Sequence, residues 1–381
     1  MNDPKIAYLS LGSNLGDSLN YLQRGIFAIE KSMPGIQHIS PVYQSSAWGF
    51  EADDFLNVCL SLRTSLAPQQ LLEALLKIEA DMGRIRYQEE GYESRCLDID
   101  ILYFGDAAFF TDKLVIPHPE LPFRKFVLKP LSDIAPQFYH PVLNKDTRNL
   151  LQECKDKGRL EKTAYRLFKN RSELFAQTNF IAIEGNIGAG KTTLANKLAD
   201  EFNAKLVLER FADNPFLPKF YEDRGRYAFP LEMSFLADRY QQFTEDTTQY
   251  DLFRSFMISD YDIYKSLIFA QITLQKDEFE LYRKLFNLMY KEVKKPSIYV
   301  YLYQTTERLL ENIKKRGRDY ERNIEPEYLD KINQGYFDFI KSYPEQNNLV
   351  IELGDLDFVE HHEDYETIVD RILKFAVHLP Y

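Results

Sequence analysis

The chain has 381 residues, which against roughly 100 to 200 residues per domain favours two domains. Apolar residues make up 45% and charged residues 28%, a composition that supports a buried core and excludes disorder as the main state. The net charge of −11 argues against a polyanion binder held by bulk charge, so nucleic acid is not expected as the main partner.

The opening residues run straight into Ile6 to Leu11 without the basic and long apolar stretches of a signal peptide. No run approaches the ~20 apolar residues of a membrane span, so no membrane partner is expected. Cys59, Cys96 and Cys154 are too few and scattered for a disulfide framework or a zinc cluster. A cytoplasmic protein is the expectation.

Ile6 to Leu11 reads as a strand, followed by Gly12-Ser13-Asn14-Leu15-Gly16 and helical spacing over Leu19 to Ile29. Strand patterns at Phe55 to Leu62 and Leu97 to Phe104 flank a helical one at Leu71 to Met82, giving an α+β first unit. Lys145 to Gln177 is rich in charge and holds the expected boundary, with a last helix of the first unit before it. The predicted division is 1–160 for the first domain, 161–177 for a linker and 178–381 for the second domain. In that second domain Phe180 to Ile183, Lys205 to Leu208, Phe253 to Ile258, Ser297 to Tyr303 and Leu349 to Leu353 read as strands separated by helical patterns. Such alternation predicts an α/β fold, a parallel sheet with helices on both faces.

Gly185-Asn186-Ile187-Gly188-Ala189-Gly190-Lys191-Thr192 fits the G-x-x-x-x-G-K-[ST] phosphate loop, between a strand and the helical Leu194, Leu198, Phe202 stripe, and together with Thr193 it is the expected ATP-binding segment. Backbone N–H groups there turn toward phosphates, Lys191 adds a point charge, and Thr192 offers a hydroxyl to Mg²⁺. Glu209 and Asp260 follow the next two strands, at the sheet end where such folds bind ligands. One could accept a proton from an attacking hydroxyl and the other hold a metal; alone, each would be an ordinary solvated charge. Arg308, Lys314, Lys315, Arg316 and Arg318 form either a solvated face or a lid of cations over a transferring phosphoryl.

From about Asn179 to Tyr381 the chain resembles the deoxynucleoside kinase family, in its bacterial deoxyadenosine/deoxyguanosine branch. The resemblance rests on Ile183 to Thr193, Asp213-Asn214-Pro215-Phe216 with Phe220-Tyr221, Leu231-Glu232-Met233, Arg239-Tyr240 and Lys315-Arg316-Gly317-Arg318. It implies Glu209 as the base for the 5′-hydroxyl, Tyr221 and Glu321 on the 3′-hydroxyl, and Arg316 and Arg318 as lid arginines. It also implies Glu232 and Arg239 at the base, ATP and Mg²⁺ as cofactors with Thr192 and Asp260 at the metal, and a homodimer. The family's Asp/Glu-Arg-Ser motif reads Asp260-Tyr261-Asp262 here, so its arginine is missing. Glu232, where the family commonly has Gln, can when ionised only accept hydrogen bonds, which predicts purine deoxynucleosides over thymidine. A Glu232–Arg239 pair across two helical turns is the plain alternative.

In the first unit Asp98 and Asp100 share one face of a strand, while Arg84, Arg86, Arg95, His118 and Arg124 lie nearby in sequence. Paired carboxylates suit Mg²⁺ with phosphate ligands, and the guanidiniums suit a polyphosphate; a solvent-facing acidic edge is the alternative. Phe55 and Asn57 again share a face, offering a ring to stack on and an amide to pair with a flat heterocycle. Together with Leu11 to Asp17, Gly83 to Arg86, Arg95 to Leu102 and Ile116-Pro117-His118-Pro119, these residues resemble 6-hydroxymethyl-7,8-dihydropterin pyrophosphokinase, a family of folate biosynthesis. The resemblance covers about Lys5 to Asp156. It implies a ferredoxin-like core, Mg²⁺ on Asp98 and Asp100, and pterin between Phe55 and Phe126 with Asn57 reading its edge. ATP contacts are implied for Glu79, Arg84, Arg86, Arg95 and His118, with Arg84 and Arg95 serving the transfer and Arg124 joining from a loop. Glu90-Gly91-Tyr92 departs from the family's pattern and carries no role. The whole chain reads as a fused bifunctional transferase; the rival is one catalytic half with the other kept as a nucleotide-binding regulatory or assembly module.

Overall fold

The computed structural model describes residues 3–47, 52–84, 94–210, 214–248, 254–291, 293–321 and 324–380. Arg86, Glu90-Gly91-Tyr92, Asp213 and Phe253 lie outside the described residues. The chain forms two compact units, Met1–Leu174 with the C-terminal residues from Val377, and Phe175–Ala376.

The first unit begins with β1 (Lys5–Ser13), α1 (Ser18–Ser32), β2 (Ile36–Ile39), β3 (Tyr43–Ser45), β4 (Phe55–Thr64), α2 (Pro68–Asp81) and β5 (Asp98–Phe104). It continues with the small hairpin β6 (Phe109–Phe110) and β7 (Val115–Ile116), then α3 (Lys125–Ile134), α4 (Thr147–Glu153) and β8 (Leu160–Lys162). Helix α1 starts where the Asp17 side chain accepts from the Asn20 N–H, and it buries Leu19, Leu22, Ile26 and Ile29 along one stripe. The main sheet runs β5-β1-β4-β3-β8, with β2 also paired to β4, and its pairings are antiparallel.

Register divides this sheet into two faces. Leu9 and Leu11 align with Leu60 and Val58 on one side and with Ile101 and Ile99 on the other, all buried. Ser10 and Gly12 point the opposite way, in rows with Cys59 and Asn57 of β4 and with Asp100 and Asp98 of β5. Helix α3 covers part of that second face, where Cys59 and Tyr103 pack with Val127, Leu128 and Leu131.

The segment expected as a linker, 161–177, is structured. It holds the end of β8, which pairs with β3, and the whole of α5 (Arg171–Gln177). Phe168 is buried, and its N–H and C=O bond the Gln23 side chain at 2.9 and 2.6 Å.

The second unit contains β9 (Phe180–Gly185), α6 (Lys191–Phe202), β10 (Lys205–Val207), α7 (Leu217–Glu222), α8 (Arg224–Thr248), β11 (Met257–Ser259), α9 (Lys265–Thr273) and α10 (Lys276–Tyr290). Then come β12 (Ile298–Tyr303), α11 (Thr306–Arg316), α12 (Pro326–Ser342), β13 (Asn348–Glu352) and α13 (His362–Ala376). The sheet is parallel in the order β10-β11-β9-β12-β13. Every residue of β9 is buried, so this central strand is covered on both faces. The chain leaves β9 for β10 on one side and later returns to β12 on the other, which opens a crevice at the carboxyl end of β9. No helix among the described residues is long and apolar enough to cross a membrane.

Candidate active sites

In the first unit the sheet places Asp98, Gly12 and Asn57 in one cross-strand row, with Asp100 two residues along and Phe55 two residues the other way. A Cβ on Gly12 would lie 3.6 Å from Asn57 Oδ1 and 3.8 Å from the Phe55 ring, so glycine keeps the surface beside them open. Asn57 is buried, and its amide nitrogen donates to Ser45 Oγ at 3.0 Å, which fixes the amide's orientation. Phe126 packs against the Cys59 and Val127 cluster, with the Arg124 guanidinium 6.0 Å from its ring centroid.

Asp98 is gripped by two arginines: Arg84 Nη1 donates to Oδ1 at 2.6 Å and Arg95 Nη1 to Oδ2. Arg84 also donates to Glu79 Oε1 at 2.5 Å, and that same oxygen accepts the Ile99 N–H at 2.7 Å. Glu79 occupies the buried stripe of α2, one turn after Leu75, so a carboxylate in an apolar row holds both an arginine and the start of β5. Burial and the neighbouring Asp98 charge push the Asp100 carboxyl up to about 7, against the pull of Arg124. His118 Nε2 lies 3.9 Å from Asp100 Oδ1. Burial and the Arg124 charge lower the His118 pKa, and its Nδ1 accepts the Glu120 N–H, so the neutral ring carries its proton on Nε2. The pattern reading did not single out Asn14, which proves to anchor Arg95. Its Oδ1 accepts the Arg95 N–H at 2.7 Å and its amide donates to Ser94 Oγ at 3.1 Å.

In the second unit the phosphate loop leads into α6. Gly188 and Gly190 adopt φ of +85° and +86°, a left-handed conformation that other residues rarely take. A Cβ at Gly188 would come 2.9 Å from Leu309 O, so the loop also needs glycine there for space. The Asn186 side chain faces α12 rather than a ligand, donating to Leu329 O at 2.8 Å and Asn333 Oδ1 at 2.9 Å. Lys191 Nζ donates back to Asn186 O at 2.9 Å, and burial together with the Lys265 charge pushes it down to about 8. Thr192 Oγ1 donates to Asp260 Oδ2 at 2.5 Å, while Asp260 Oδ1 accepts the Glu209 N–H at 2.8 Å. Of the loop and its helix, Ile187, Lys191 and Thr192 line a cavity shared with Glu209, Asp260 and Tyr221.

Arg239, Glu232, Arg316, Arg318 and Glu321 line the same cavity. Arg239 is not paired with Glu232 as the plain alternative had it. Its Nε and Nη2 donate to Glu209 Oε1 at 2.8 and 2.6 Å, and its Nη1 donates to Ser266 Oγ. The two residues of α8 stand two turns apart, whereas Glu209 arrives from the end of another strand and comes closer. Glu232 Oε1 accepts from Thr273 Oγ1 at 2.9 Å, its buried Oε2 has no partner among the described residues, and burial pushes its pKa up to about 7. Burial also favours neutral Glu209, but the Lys265 and Arg239 charges outweigh it and hold this carboxyl well below the usual range. Lys265 went unrecognised in the sequence, yet its Nζ donates to Glu209 Oε2 at 2.6 Å. Arg316 and Arg318 both reach the buried Glu321, whose oxygens lie 2.5 and 3.4 Å from them. Tyr261 is not in the site: its ring is fully buried, edge-on to Phe243.

Residues 181–377 match the family described as deoxynucleoside kinase, and residues 8–136 match that of 7,8-dihydro-6-hydroxymethylpterin-pyrophosphokinase. Deoxyguanosine kinase of Bacillus subtilis is 40% identical over 203 residues, which is 52% of this chain and 98% of that protein. The 2-amino-4-hydroxy-6-hydroxymethyldihydropteridine pyrophosphokinase of Aquifex aeolicus is 42% identical over 147 residues, 38% of this chain and 90% of that protein. Among solved structures, deoxyadenosine kinase from M. mycoides with bound dATP superposes with a TM-score of 0.45 at 24% identity, over 51% of this chain and 98% of that one.

Proposed function

Because the chain belongs to the pyrophosphokinase family over residues 8–136 and to the deoxynucleoside kinase family over residues 181–377, we infer that one polypeptide carries out two ATP-dependent transfers. In the first unit the hydroxymethyl oxygen of the reduced pterin attacks the β-phosphorus of ATP, and AMP leaves. In the second the 5′-hydroxyl of a deoxynucleoside attacks the γ-phosphorus, and ADP leaves. The observation that carries this reading is that each unit assembles its own acidic and cationic set: Asp98, Asp100, Arg84 and Arg95 in one, Lys191, Glu209 and Asp260 in the other.

In the pterin site Phe55 and Phe126 supply rings, Asn57 supplies an oriented amide, and Arg84, Arg95 and neutral His118 meet the triphosphate with Glu79 holding Arg84 in place. The antiparallel order β5-β1-β4, with β2 and β3 beyond β4, supports a ferredoxin-like core. Mg²⁺ fits the donor sets: hard carboxylate oxygens of Asp98 and Asp100 in one unit, the Thr192 hydroxyl and Asp260 in the other. No group of three or more His, Cys, Asp or Glu side chains that could hold a metal occurs among the described residues. Mg²⁺ is commonly held by one or two carboxylates plus substrate phosphates, which would complete the coordination here, and the ion would neutralise charge on them. In the kinase site Glu209 accepts the 5′-hydroxyl proton, Lys191 cradles the phosphates, Arg316 and Arg318 move from Glu321 to the transferring group, and Tyr221 and Glu321 hold the 3′-hydroxyl.

The buried Glu232 supports a purine base, whose hydrogen-bonding edge matches a carboxyl group, and the similarity to a deoxyguanosine kinase points the same way. Incubating the purified chain with labelled ATP and hydroxymethyldihydropterin, deoxyadenosine, deoxyguanosine, deoxycytidine or thymidine tests the reading. AMP release with the pterin and ADP release with a purine deoxynucleoside are expected; thymidine as the best nucleoside would refute the assignment of Glu232.

A further inference from the structure

We propose that Lys265 supplies a cation to the kinase reaction, holding Glu209 and donating to the transferring phosphoryl group. The role rests on the kinase reading of the second unit. Position 261 cannot do this work, because the Tyr261 side chain is fully buried against Phe243. The backbone then turns, with Asp262 Oδ1 accepting the Tyr264 N–H at 2.9 Å, and α9 begins at Lys265. Four positions after Tyr261, a cation therefore lines the cavity.

Its placement is specific. The Lys265 side chain is 10% exposed and its Nζ lies 2.6 Å from Glu209 Oε2, while Arg239 holds the other oxygen. It lines the cavity together with Lys191, Thr192 and Arg316. Its charge is felt at Lys191, which it helps push down to about 8. Arg239 alone would balance the single negative charge of Glu209. The second cation leaves the Glu209, Arg239 and Lys265 group with one positive charge in excess, in a cavity where an incoming phosphoryl group brings negative charge. An ammonium has three N–H donors and Glu209 Oε2 takes one, so Lys265 can serve carboxylate and phosphoryl oxygen together.

Lys265→Met and Lys265→Arg in the full chain, compared with wild type, test the role. Steady-state kinetics with a purine deoxynucleoside and thermal unfolding would be measured for each, with pterin pyrophosphorylation as an internal control. Lys265→Met is expected to lose about 100-fold in kcat, with the nucleoside KM within about threefold, and Lys265→Arg to recover most of that loss. Pyrophosphorylation should be unchanged in both. A Met variant with wild-type kcat would overturn the role. So would an Arg variant as slow as Met while unfolding at the wild-type temperature, because a cation would then not be what the reaction needs. A wild type that phosphorylates no deoxynucleoside would overturn the kinase reading and this role with it.

Discussion

Glu232 carries a carboxyl group that changes state near neutral pH, since burial among apolar and charged neighbours pushes it up to about 7 despite the Arg239 and Lys265 charges and the Thr273 hydrogen bond. Below that pH the neutral acid donates through one oxygen and accepts through the other, matching adenine's N1 and 6-amino group. Above it the carboxylate only accepts, matching guanine's N1–H and 2-amino group. The ratio of kcat/KM for deoxyguanosine over deoxyadenosine should therefore rise, by up to about 100-fold between about pH 6 and about pH 8. Glu232→Gln, which keeps one donor and one acceptor at every pH, should show a flat ratio. A wild-type ratio independent of pH would show that this carboxyl does not select the base.

At the scale of elements, the loop after β1 and the segment before β5 act as one piece because Asn14 joins them. Its carbonyl oxygen holds the Arg95 N–H at 2.7 Å, its N–H reaches Arg95 O at 3.1 Å, and its amide reaches Asp53 O at 3.3 Å. Arg95 in turn pairs with Asp98. Asn14→Ala leaves the backbone bond but frees the side-chain ties, each worth about 1 kcal/mol. The expected result is a drop of about tenfold in kcat/KM for ATP in pterin pyrophosphorylation, with nucleoside phosphorylation unchanged. Equal ATP kinetics in variant and wild type would mean that Arg95 is positioned without Asn14.

For the whole molecule, the two sites draw on separate residues of separate units, so their chemistry should come apart by single substitutions. Asp98→Asn removes one negative charge while keeping shape, and is expected to cut pterin pyrophosphorylation by about 100-fold with nucleoside phosphorylation near wild type. Lys191→Ala should do the reverse through loss of its phosphate charge. Assays of both reactions on each variant decide the matter: both activities falling together in a folded protein would contradict two independent sites.

Much of this was legible in the sequence because the signals are local. A strand, a glycine loop and a helical stripe in close succession between Phe180 and Phe202 dictate the phosphate loop, and period two alone sets Asp98 and Asp100 on one face. The short strands β2, β3 and β8 were not legible, since their extended form depends on hydrogen bonds to β4 and β3 more than on any alternation of their own. Side-chain partnerships across the fold were hidden as well. Glu209 meets Arg239 from 30 positions away and Lys265 from 56, and Asn14 meets Arg95 from 81. Spacing on one helix set Arg239 beside Glu232 at the base, with a pair between the two as the alternative, but the parallel sheet brings Glu209 from the end of β10 to Arg239 instead. Composition and motif determined which chemistry this chain carries; the crossing of strands and helices decided which cation neutralises which carboxylate, because Coulomb attraction and hydrogen bonding act through space and not along the chain.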